Sequence, residues 1–107
     1  MVDLPPGCLA TVRDLLALHA PRCEVLAFGS RVTGGARPYS DLDLALVGAS
    51  RIPLEELQRL REAFEDSPLP MRVDLVDWLT LPASLRAAIA AAHEVIRRPD
   101  PAIRAIP

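Results

Sequence analysis

Leu9, Val12, Leu15, Leu16 and His19 recur at three- and four-residue intervals after Pro5-Pro6-Gly7, and Pro21 closes the segment. That period predicts an amphipathic helix over residues 6–19. Cys23-Glu24-Val25-Leu26-Ala27-Phe28 reads instead as a buried strand running into a Gly29-Ser30 turn. Gly34, Gly35 and Pro38 mark Thr33 to Ser40 as a loop, with room for a helical turn beginning at Ser30. Asp41 to Val47 is the second strand. Pro53 opens the next helix, with Glu55 and Glu56 in its first turn, where the macrodipole favours anions. Leu54, Leu57, Leu60 and Phe64 form its apolar stripe, and Pro68 and Pro70 end it. Residues 71–76 predict a third strand, and 82–92 a helix with Leu85, Ala88, Ile89 and Ala92 turned inward.

Strands alternating with helices predict an α/β fold, here a three-stranded mixed sheet packed by about four helices. A helix between the second and third strands favours parallel pairing through a right-handed crossover, which sets Asp74 beside the strand bearing Asp41 and Asp43. Residues 1–98 form one expected domain, and 99–107 an irregular tail with three prolines.

Composition narrows the classes. At 107 residues the chain supports one core, and no stretch approaches the roughly 20 apolar residues of a membrane span. The first six residues carry neither a basic nor an apolar leader region, so the expected location is the cytoplasm. Cys8 and Cys23 lack metal-ligand spacing and fit buried, reduced thiols. A formal net charge of -2 argues against direct nucleic-acid binding. All twelve basic residues are arginine, a compositional bias, so each must be judged by its position.

Asp41 and Asp43 are spaced i, i+2, which on a strand puts both on one face. With Asp74 next to them, three like charges would repel unless a cation sat among them. A divalent pair bridged by carboxylate oxygen relieves this and suits displacement at phosphorus. Mg²⁺ fits, since it takes one or two carboxylates plus phosphate oxygens. Gly29-Ser30 offers close backbone approach, outward N–H groups and a hydroxyl for the phosphates of a nucleotide. Arg31 and Arg37 could add charge-assisted contacts. Taken alone, a bare Asp-x-Asp is more often a solvated strand face.

Gly29-Ser30, ten residues, then Asp41-Leu42-Asp43 is similar to the GSx10DxD signature of the DNA polymerase beta-like nucleotidyltransferases, and the brevity resembles their minimal (MNT) branch. The resemblance runs from the first strand to the third, where Val73-Asp74-Leu75-Val76-Asp77 resembles the strand carrying the third carboxylate. It implies Asp41, Asp43 and Asp74 as catalytic, metal-holding residues for two Mg²⁺ ions, with ATP as substrate. Gly29, Ser30, Arg31 and Arg37 would bind its phosphates. Val32-Thr33 stands where many members carry a second basic residue. Asp77 has the opposite strand parity to Asp74 and should face away.

Arg86 and His93 happen to match a ribonuclease spacing, but lie on an alanine-rich helix in a chain with strands. His19 and His93 read as helix C-terminal residues, and Phe28 and Trp78 as core. Related enzymes add domains for their second substrate, and this chain has no room for one. The resemblance therefore implies an antitoxin paired with a HEPN toxin, a Mg-dependent protein adenylyltransferase moving AMP from ATP to a partner tyrosine. The alternatives are an antitoxin that blocks its partner by binding alone, or a nucleotidyltransferase acting on tRNA or a small molecule.

Overall fold

A computed structural model describes residues 2–99. The expected tail therefore lies, apart from Pro99, outside the described residues. The elements run α1 (Cys8–His19), β1 (Glu24–Phe28), α2 (Ser30–Thr33), β2 (Leu42–Val47), α3 (Leu54–Glu65), β3 (Val73–Asp77), α4 (Ala83–Ala91) and β4 (Glu94–Arg97), with a single 3-10 turn at Trp78–Thr80. No helix among the described residues is long and apolar enough to cross a membrane.

The sheet order is β3-β2-β1-β4. β2 pairs in parallel with β3 through the α3 crossover, and antiparallel with β1. The mixed α/β arrangement is as expected, but the sheet has four strands rather than three. The added strand, β4, pairs antiparallel with the free edge of β1. It covers an edge that would otherwise expose a row of unpaired backbone groups.

Two cores flank the sheet. On one face Val12 and Leu16 of α1 and Leu60 and Phe64 of α3 pack on Val25, Leu42, Leu44, Leu46 and Leu75. On the other, Ile89 of α4 packs on Leu26 and Ala45, with Phe28, Val76, Trp78 and Val95 around them. Leu42, Leu44, Ala45 and Leu46 have no exposed surface, so β2 is the buried centre of the fold. Both cysteines are free and buried.

Candidate functional site

β1 ends at Phe28 opposite Asp43 of β2, and Gly29 follows at φ 77 and ψ -160. Glycine alone adopts that backbone readily. A Cβ on Gly29 would also overlap Oδ2 of Asp43 and stand 3.3 Å from its Cγ, so any other residue there requires the Asp43 carboxylate to move. The chain then enters the single turn of α2, where Gly29 O accepts from Val32 N and Thr33 N, both at 3.0 Å. Ser30 and Arg31 therefore occupy the first turn, whose N–H groups have no acceptor within a helix.

On the neighbouring strand, Asp74 sits in register with Asp43. Adjacent strands lie about 4.8 Å apart, so the two carboxylates rise from one face as close neighbours. That face is closed at Ala45 and open at Asp43, half-buried, and Asp74, exposed. Asp41 stands one residue before β2, its side chain 45% exposed and 4.0 Å from the Arg72 guanidinium. An exposed pair at that distance contributes little. Burial pushes the Asp43 carboxyl above its ordinary range, and the charges of Asp74 and then Asp41 push it the same way. The carboxylates thus crowd one another electrostatically. Among the described residues no three His, Cys, Asp or Glu side chains converge tightly enough to hold one ion. An all-oxygen set offering one or two carboxylates per cation still suits a hard ion completed by phosphate.

Residues 17–102 match the family described as polymerase beta, nucleotidyltransferase. The chain belongs to this nucleotidyltransferase family. It is 41% identical over 99 residues to a Haemophilus influenzae protein named "Probable protein adenylyltransferase MntA", covering 92% of this chain and 87% of that one. Its fold matches a crystal structure of a toxin-antitoxin with AMP-PNP at TM-score 0.72 and 22% identity, over 90% of this chain and 77% of that chain. A second match, at TM-score 0.58 and 23% identity over 84% and 69% of the two chains, is a tri-AMPylated Shewanella oneidensis HEPN toxin in complex with MNT antitoxin. At these identities the likeness to the solved structures is one of fold.

In this nucleotidyltransferase the residues singled out in the sequence are not all in one place. Gly29, Ser30, Asp43 and Asp74 meet at the ends of β1, β2 and β3, with Asp41 at their margin. Arg37 lies on the exposed loop, and its side chain makes no hydrogen bond or ion pair among the described residues. Arg31 departs from expectation. Its guanidinium is buried and donates to the backbone carbonyls of Asp3, Arg37, Pro38 and Ser40, so it braces the loop instead of facing a phosphate. Asp77 is turned to the other face as its parity required, accepting from Ile52 N at 2.8 Å and Leu79 N at 3.0 Å. His93 sits at the α4 C-terminus with Nδ1 3.0 Å from Ile89 O. Asp3, whose backbone meets Arg31, carried no signal in the sequence, because contacts of an N-terminal segment have no period to read.

Proposed function

We propose that this protein transfers the adenylyl group of ATP to a tyrosine hydroxyl of a cognate HEPN-type toxin, and so neutralises it as an antitoxin. The observation that carries the reading is the contact between the Gly29 backbone and the Asp43 carboxylate. It joins a turn suited to phosphate and a carboxylate suited to metal into one unit. The kinship to a protein named as an adenylyltransferase, and the fold shared with an antitoxin bound to an AMPylated toxin, supply the acceptor class.

In this mechanism Gly29 allows the β and γ phosphates close to the backbone, and the Ser30 hydroxyl and first-turn N–H groups donate to them. Arg37, exposed and without a partner for its side chain among the described residues, supplies a charge-assisted contact. Asp41, Asp43 and Asp74 would hold two Mg²⁺ ions. Bound Mg²⁺ would supply positive charge against the phosphate oxygens and the carboxylates. Asp74, exposed at the open side, takes the proton from the tyrosine hydroxyl. The tyrosine oxygen bonds to the α-phosphorus, the bond from that phosphorus to the bridging oxygen breaks, and pyrophosphate leaves. No covalent enzyme intermediate forms, and the rate comes from positioning and charge stabilisation.

The test uses the co-purified pair with Mg²⁺ and ATP labelled at either the α or the γ phosphate. Label from the α position should appear on a partner tyrosine, and label from the γ position should not. Transfer from γ, or from neither, overturns the reading.

A further inference from the structure

We infer that Arg31 is a positioning residue for nucleotidyl transfer, a proposal that rests on the function above. One side chain fixes the spacing between the phosphate turn and the carboxylate strand.

Arg31 follows Gly29-Ser30 directly, yet only 4% of its surface is exposed. Its Nε and Nη2 both donate to Ser40 O, at 2.9 and 2.8 Å. Ser40 is the residue before Asp41. Nη2 also reaches Pro38 O at 3.2 Å and Arg37 O at 3.3 Å, and Nη1 donates to Asp3 O at 2.9 Å. No acidic side chain among the described residues pairs with it. A buried cation held by carbonyl dipoles alone is costly to keep, and removing it takes a donor from each of those carbonyls, of which Arg37 O keeps another in Ser40 N at 3.0 Å.

The brace answers a specific mechanical problem. Beyond Thr33 the loop has no regular structure, and Gly34 and Gly35 both sit at positive φ. Its far end is a local turn, closed by Ser40 N donating to Arg37 O at 3.0 Å and Arg37 N donating to Ser40 Oγ at 2.8 Å, which ties residues 37–40 to one another and not to the sheet. On the β2 side the backbone is held by Leu42 N donating to Arg72 O at 2.9 Å. On the loop side Arg31 holds Ser40, so Asp41 is pinned between two anchored neighbours while its own side chain stays exposed. The Arg31 backbone is anchored in turn, because Asp3 N donates to Arg31 O at 2.6 Å. The N-terminal segment is therefore a strap across the same point.

Lysine keeps the charge but cannot present a planar fork to several carbonyls at once. In Arg31→Lys, kcat for AMP transfer should fall roughly 10- to 100-fold while KM for ATP stays within about twofold. In Arg31→Ala, millimolar methylguanidinium should restore part of the rate and leave wild type unaffected. Asp3→Pro, which removes the Asp3 donor, should lower kcat in the same pattern and serves where Arg31 variants fold poorly. A wild-type kcat in folded Arg31→Lys, or no rescue of folded Arg31→Ala, overturns the proposal. Mn²⁺ affinity in the presence of AMP-PNP separates this from the function itself. It should weaken about tenfold in Arg31→Lys even if no acceptor is modified, and an unchanged affinity sinks the positioning role.

Discussion

The Asp43 carboxylate occupies the space that any side chain on Gly29 would need. Gly29 also holds φ 77 and ψ -160, a backbone region that costs other residues about 1–3 kcal/mol. Gly29→Ala should lower unfolding free energy by about that amount in urea titrations. It should abolish AMP transfer even at temperatures where the variant is fully folded, because the inserted methyl displaces Asp43. Retained transfer in the folded variant would show that the contact is incidental.

The crowding at Asp43 makes stability depend on pH in an unusual direction. Its carboxyl is raised by burial and by the charges of Asp74 and Asp41, so the folded chain keeps a proton that the unfolded chain has lost. This contribution is fully present below the unfolded value of about 3.9 and is lost as pH rises through the raised folded value. Denaturation midpoints across this range should fall with increasing pH relative to Asp43→Asn, which lacks the downward limb. Added Mg²⁺ should flatten the wild-type curve and leave the variant unchanged.

Asp74 and Asp77 belong to one strand and should separate cleanly on mutation. Asp77 is buried and accepts from Ile52 N and Leu79 N, so Asp77→Ala should cost about 1–3 kcal/mol by leaving two half-buried donors unpaired. The folded fraction should still transfer AMP. Asp74→Asn, on the exposed face, should shift stability by less than about 0.5 kcal/mol and remove transfer. Thermal unfolding beside single-turnover labelling distinguishes the two.

The strand period made much of the site legible. It put Asp41 and Asp43 on one face of their strand and Asp77 opposite to Asp74 on its own, and the α3 crossover implied the parallel pairing that sets Asp74 beside Asp43. β4 escaped because Glu94-Val95-Ile96-Arg97 is only four residues long and follows an alanine-rich helix without alternation. Its strand character comes from the open edge of β1, a tertiary cause. The Arg31 brace is invisible to the motif for a related reason. A motif says which residue follows the turn, whereas a long side chain goes where acceptors are, and these lie at Asp3 and beyond Ala36.

The most direct test of the central claim compares toxin neutralisation by wild type and by Asp41→Asn, with binding of each to the toxin measured in parallel. Asp41→Asn should bind the toxin as wild type does, leave its tyrosine unmodified and fail to neutralise it. Full neutralisation by Asp41→Asn with an unmodified tyrosine would contradict the account, because the antitoxin would then act by binding alone.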